Sequence, residues 1–170
     1  MAIAKVGEPA PDFTMAIAKP GDTAQTVDKS GKVSLADYKG KWLVFFFYPL
    51  DFTSVCSTEV TALSDRLDDF KQIGAEVLGC SADSVYAHQA WMNLPRDKDG
   101  LGEMRFPLAA DMTKTVSRDY GVLIEEAGIA LRGLFLIDPD GILKYAIIHA
   151  INIGRSADET LRVLQALQTG

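Results

Sequence analysis

Cysteine is scarce in this chain: two residues in 170, Cys56 and Cys80, with no Cys-x-x-Cys pair. That excludes a disulfide-stapled secreted framework and a dithiol redox motif, and both thiols read as reduced. Histidine is equally scarce, and neither His88 nor His149 has a companion at metal-ligand spacing, so no metal site is expected. No glycine-rich phosphate loop or dinucleotide fingerprint follows an apolar run, so no cofactor is expected either. Excess positive charge is also missing. The 17 basic and 23 acidic residues are interspersed and leave a net charge of -6, which argues against nucleic acid as a partner. No segment approaches the roughly 20 consecutive apolar residues of a membrane span. The opening residues lack the charged start, apolar middle and small-residue cleavage site of a secretory leader, so a cytoplasmic protein is expected.

What is present suits one domain over residues 1–170, long enough to bury a core without staples. Apolar runs at 42–48, 75–80, 106–109, 134–137 and 142–148 read as strands, and helices are expected over 58–73, 84–93, 113–120 and 157–168. Ser156 and Glu159 form a capping-box pattern ahead of the last helix. Asp138-Pro139-Asp140-Gly141 signals a turn, so the last two strands should form an antiparallel hairpin. This order predicts an α/β architecture around a central mixed sheet flanked by helices. Arg96-Asp97-Lys98-Asp99-Gly100 reads as a solvated loop. The five residues Met-Ala-Ile-Ala-Lys occur at 1–5 and again at 15–19, far too short for a repeat architecture.

Cys56 stands out by position, between the strand at 42–48 and a helical stripe of Val60, Leu63, Leu67, Phe70 and Ile73. A helix start has unpaired N–H groups and partial positive charge, which favour a thiolate, the reactive form of cysteine. A free cysteine is otherwise most often a small buried hydrophobe. That bland reading is the one assigned to Cys80, at the end of a core strand close to the site.

Pro49, Thr53 and Cys56 fill the pattern Pro-x-x-x-Thr-x-x-Cys, and the chain around them is similar to the peroxiredoxins, most closely the typical two-cysteine subfamily that includes the alkyl hydroperoxide reductase C and thiol-specific antioxidant proteins. The resemblance extends through Val6-Gly7-Glu8-Pro9-Ala10-Pro11-Asp12-Phe13, the block from Asp83-Ser84 to Ala90-Trp91, and Gly100-Leu101-Gly102. It continues in Asp119-Tyr120-Gly121-Val122, Leu131-Arg132-Gly133-Leu134-Phe135-Leu136-Ile137-Asp138 and Gly154-Arg155-Ser156-Ala157-Asp158-Glu159-Thr160. It implies a thioredoxin-like fold with an N-terminal extension, and a thiol-dependent peroxidase that reduces hydrogen peroxide and alkyl hydroperoxides through a sulfenic acid at Cys56. By the same resemblance Thr53 bonds thiolate and peroxide, Pro49 shields the sulfur, and Arg132 supplies a fixed positive charge. Glu59 organises the arginines, with Arg155 a further member. An unpaired arginine at the start of an apolar strand would be costly, which independently calls for a partner for Arg132. The implied partners are a thiol reductant such as thioredoxin or an alkyl hydroperoxide reductase F-type protein, and a second copy in a homodimer that can extend to a decamer. The strand at 142–148 reads as a sheet edge with apolar residues on both faces, which favours such pairing.

Two departures stand out. Ser57 replaces the proline that usually follows the peroxidatic cysteine, and the given sequence has no resolving cysteine after Cys80. Truncation and reliance on an external thiol both remain open, as does a second functional class: an oligomeric redox-regulated chaperone or peroxide-signalling protein.

Overall fold

The computed structural model describes residues 3–170, so Met1 and Ala2 of the first five-residue repeat lie outside it. The chain forms β1 (Thr14–Ala18), β2 (Lys32–Ser34), β3 (Trp42–Phe47), α1 (Ser54–Asp65), α2 (Leu67–Gln72), β4 (Ala75–Ser81) and α3 (Val85–Met92). It continues with β5 (Leu108–Ala110), α4 (Thr115–Asp119), β6 (Leu123–Ile124), β7 (Ile129–Ala130), β8 (Arg132–Ile137), β9 (Leu143–His149) and α5 (Ala157–Thr169). Seven strands make one sheet in the order β2-β1-β5-β4-β3-β8-β9, and β6 pairs with β7 apart from it. The two pairings of β4, with β3 and β5, are parallel, while β3–β8, β8–β9, β1–β5 and β1–β2 are antiparallel. The sheet is therefore mixed, as the order of elements predicts.

Two apolar layers account for the unbroken hydrophobic strands. On β3, Val44 and Phe46 enter one layer while Leu43, Phe45 and Phe47 enter the other, the two-residue alternation of a strand buried on both faces. Helices α1, α2, α3 and α5 cover the first layer through Val60, Leu63, Phe70, Trp91 and Leu164. The second is closed by α4 and the N-terminal segment, where Phe45 stacks on Phe13 at 4.7 Å and meets Tyr120 edge-on at 5.2 Å.

The expected helix 58–73 is two helices. It starts earlier, at Ser54, and breaks at Arg66, whose backbone (φ -99°, ψ 9°) leaves the helical region while its side chain bonds Asp69. Strands β1 and β2 escape sequence reading because they are short and lack alternation; β1 is held between β5 and β2, and β2 is an edge strand held by β1. At α5, Ser156 accepts from the Glu159 N–H as a cap should, but the Glu159 carboxylate turns to Arg162, so only half of the expected box is formed. The loop after α3 is tied down rather than merely solvated. Arg96 forms a bidentate pair with Asp65 of α1, and the Trp91 indole donates to the Asp99 carbonyl. Gly100 approaches Leu94 so closely that an added Cβ would lie 2.0 Å from its carbonyl oxygen, which only glycine permits.

The expected hairpin is present. The Asp138 carboxylate accepts from the N–H groups of Asp140 and Ile142, and Gly141 takes φ +85°. Strand β9 lies at the sheet edge, but not bare along its length: Leu143 exchanges backbone bonds with Gly7 and Glu8.

Candidate active site

Strand β3 delivers the chain to the site. Tyr48 extends its ladder by one bond to the Cys80 carbonyl, the loop 49–53 turns outward, and Thr53 in extended conformation precedes α1. Cys56 is the third residue of α1, so the early helix start puts it in the first turn, where N–H groups lack intrahelical partners. It is fully buried. Ser57, where the family usually has proline, donates its N–H to the Thr53 carbonyl and its hydroxyl to the Ser54 carbonyl, so the first turn gains bonds that proline could not make.

Arg132, the first residue of β8, points its Nη1 at the sulfur of Cys56, 3.1 Å away, and at Glu59 Oε1, 2.6 Å away. Its Nε donates to the Ile151 carbonyl at 2.7 Å, which fixes the plane of the guanidinium. Glu59 lies three residues after Cys56, on the same face of α1. It also takes three bonds from Arg155: the backbone N–H at 2.6 Å, Nε at 2.7 Å and Nη2 at 2.9 Å. Arg155 Nη1 bridges the carbonyls of Phe47 and Gly133, so one side chain staples β3 to β8 behind the cysteine. One carboxylate thus orders two buried guanidinium groups, and one of these holds the thiol.

Of the six residues singled out in sequence, Cys56, Glu59, Arg132 and Arg155 form one connected cluster. Pro49 is buried in the adjoining loop. Thr53 does not reach the sulfur here; its hydroxyl donates to the Leu50 carbonyl at 3.0 Å. Cys80 is buried as expected, but its side chain belongs to the layer on the other side of the sheet from Cys56, with its sulfur 3.7 Å from that of Met15. Burial pushes its thiol well above the ordinary range, and Asp111 adds to the shift. Stoichiometric peroxide is accordingly expected to produce no Cys56–Cys80 disulfide; a mass loss of two hydrogens with both peptides linked in a non-reducing digest would contradict the geometry.

Sequence reading missed a second polar cluster beside the first. His88 Nδ1 lies 2.7 Å from Asp51 Oδ2, its Nε2 lies 2.8 Å from the Ala109 carbonyl, and the Tyr48 hydroxyl donates to Asp51 Oδ1 at 2.7 Å. The signal was available. His88 shares a helical face with Trp91 and Met92, and a histidine on a buried face needs hydrogen-bond partners. Among the described residues no group of three or more histidine, cysteine or carboxylate side chains is placed to hold a metal.

Comparison with known proteins adds the family. The profile of the AhpC/TSA family matches residues 6–146. A candidate peroxiredoxin from the rubredoxin operon of Clostridium pasteurianum is 54% identical over 165 residues, spanning 97% of this chain and 90% of its own. Peroxiredoxin-1 of Gallus gallus is 50% identical over 163 residues, 96% of this chain and 79% of its own. The crystal structure of the reduced two-cysteine peroxiredoxin of Plasmodium vivax superposes with a TM-score of 0.89 at 39% identity, covering 96% of this chain and 82% of that one, and its likeness makes the fold thioredoxin-like. With a helix-start cysteine held by a buried arginine and likeness running along nearly its whole length, this chain belongs to the AhpC/TSA family and is a peroxiredoxin, a thiol-dependent peroxidase.

Proposed function

We propose that Cys56 is the peroxidatic nucleophile and that it reduces hydrogen peroxide and small alkyl hydroperoxides. The observation that carries this is the 3.1 Å contact between Arg132 Nη1 and the Cys56 sulfur. The thiolate attacks one peroxide oxygen, the O–O bond breaks, and the departing oxygen leaves as water or an alcohol after taking a proton, with Cys56 becoming a sulfenic acid. Arg132 cannot supply that proton, since arginine stays charged; its role is to hold thiolate and peroxide with fixed donors aimed at developing negative charge. Glu59 and Arg155 hold Arg132 in that orientation. On this reading Pro49 keeps water from the sulfur, and the Thr53 hydroxyl leaves the Leu50 carbonyl by rotating about its Cα–Cβ bond to meet the peroxide. A buried sulfur reached through a first turn suits small substrates.

Cys80 is buried in the layer on the other side of the sheet, so a thiol from outside residues 3–170 completes the cycle on this reading. It attacks the sulfenic sulfur, releases water and forms a mixed disulfide that a second thiol reduces back to Cys56. Thioredoxin or an F-type disulfide reductase fits this step, and a reducing cytoplasm suits a protein whose two cysteines are both free. The test is peroxide consumption with a thiol reductant, together with intact mass after stoichiometric peroxide. A gain of one oxygen at Cys56 that added thiol reverses supports the reading; rapid turnover without modification at Cys56 overturns it.

The same reading includes a homodimer paired along the part of β9 beyond Leu143, where backbone groups face outward and Ile148 is exposed. Leu50, Phe52 and Val55, exposed around the start of α1, offer a second apolar surface through which dimers could close into a decamer. Light scattering at micromolar concentration is expected to give at least a dimer mass, and a monodisperse monomer would contradict both contacts.

A further inference from the structure

We propose that Asp51 and His88 are a positioning pair: their buried contact holds the loop 49–53 against α3 and thereby sets the first turn of α1, where Cys56 meets Arg132. The proposal rests on the peroxidatic reading of Cys56 and concerns residues that this reading does not use.

The proton accounting is unusually constrained. The Ala109 carbonyl can only accept, so Nε2 of His88 carries a proton. A second proton must then lie between Nδ1 and Asp51 Oδ2, which are 2.7 Å apart, whether it is drawn on the ring or on the acid. The other oxygen of Asp51 takes the Tyr48 hydroxyl. Both heteroatoms at each end are therefore satisfied within the protein, and neither group reaches solvent. The Asp51 backbone is fixed as well, since its N–H donates to Asp83 Oδ2 at 2.9 Å and the Ser81 hydroxyl braces the same oxygen at 2.6 Å. Residue 51 is thus anchored to α3 through its side chain and to the end of β4 through its backbone.

What these anchors impose is visible at the next residue. Phe52 takes φ +64°, a left-handed conformation that an aromatic residue rarely adopts, and its ring rests 6.3 Å from that of Trp91. Such a backbone persists when its surroundings over-determine it, and it lies immediately before Thr53, the residue that directly precedes α1. A buried carboxylate–imidazole pair is weak as a source of stability, because apolar side chains would close the same space at less desolvation cost. Its use here is geometric. It converts a flexible turn into one conformation and hands α1 a fixed starting point, three residues before the sulfur.

Asp51→Ala, Asp51→Asn and the unaltered chain separate this from a general loss of stability. Two quantities are read: the second-order rate of Cys56 with hydrogen peroxide, and amide hydrogen exchange along the chain. Asp51→Ala should lower the rate on the order of tenfold, as expected for a slightly misplaced reacting group, and raise exchange within residues 50–57 while β3, β4 and β8 stay protected. Asp51→Asn should restore both quantities to within about twofold, because its amide can donate to Nδ1 of a neutral His88 and still accept from Tyr48. An unchanged rate or unchanged exchange at 50–57 in a folded Asp51→Ala protein overturns the proposal, and so does Asp51→Asn as impaired as Asp51→Ala. If Asp51→Ala does not fold, Tyr48→Phe takes its place: it withdraws one donor and keeps the ring. Raised exchange confined to 50–57 then supports the pair, and unchanged exchange overturns it. Failure of the unaltered chain to consume peroxide would sink the peroxidatic reading alone, since hydrogen exchange still reports on the loop.

Discussion

Cys56→Ser is expected to leave a folded protein that no longer consumes peroxide. The side chain sits in a closed space beside Arg132, and serine fills nearly the same volume while offering an oxygen to the same Nη1 donor. No cavity opens and no buried cation loses its partner, so the stability change should stay within about 1 kcal/mol. Chemistry is another matter. A serine hydroxyl near neutral pH is neither ionised nor strongly nucleophilic without an adjacent base, and the residues around Cys56 supply cationic donors, not a base. Turnover should fall on the order of a thousandfold or more, as when the nucleophile is removed from other covalent enzymes. Peroxide consumption with a thiol reductant measures the first effect and thermal melting by circular dichroism the second. Turnover at a tenth of the original rate would move the nucleophile elsewhere in the molecule.

Glu59→Gln should be the most damaging single change to the fold around the site. The Glu59 side chain is 4% exposed, as is that of Arg132, and Arg155 is 6% exposed, so one anion stands between two buried cations. Glutamine keeps the shape but removes the charge, and its amide NH₂ donates where an acceptor is needed. Breaking a buried pair by neutralising one member costs about 3–5 kcal/mol, because the remaining charge stays desolvated. For a domain of this size that corresponds to a fall in Tm on the order of 10 °C. The peroxide rate should fall too, since Arg132 loses one of the contacts that orient its guanidinium toward the sulfur. Differential scanning calorimetry decides the first point. An unchanged Tm would mean that water already solvates the two arginines and that the cluster is looser than its geometry.

The contrast between the two substitutions reflects how the site is built. Cys56 is held by its neighbours and contributes little to holding them, whereas Glu59 makes four hydrogen bonds across three separate parts of the chain. The proposed nucleophile and the residue that ties the cluster together are thus three apart on the same helix.

Local pattern made much of this legible. The apolar run behind β3 is unbroken because both faces of that strand are buried, and Ser156 marks the start of α5 because a hydroxyl there can take the Glu159 N–H. Asp138 and Gly141 mark the hairpin by the same short-range chemistry. Each of these signals lies within a few residues of what it determines. A helix start near Cys56 was legible but its first turn was not: the pattern places the start at Thr58, since Ser54-Val55-Cys56-Ser57-Thr58 is polar and β-branched, and the Ser57 N–H bond to the Thr53 carbonyl brings it back to Ser54. Nor were β1, one of whose partners, β5, lies far along the chain, and β2, a three-residue edge strand held by β1.

The sequence by itself determined the helices and strands with strong periodicity, and, through residues that resemble a known family, singled out the cysteine proposed here as the nucleophile. Tertiary structure alone decided which groups meet. Arg132 reaches Cys56 across 76 positions and Arg155 reaches Glu59 across 96, while the sheet keeps Cys80 apart from Cys56 although it is nearer in sequence to Cys56 than either arginine. Asp51 and His88, 37 residues apart, meet only when α3 packs beside the loop. The physical reason is that periodicity records which face of an element is buried, whereas hydrogen bonds and ion pairs depend on distances of about 3 Å that no local pattern encodes.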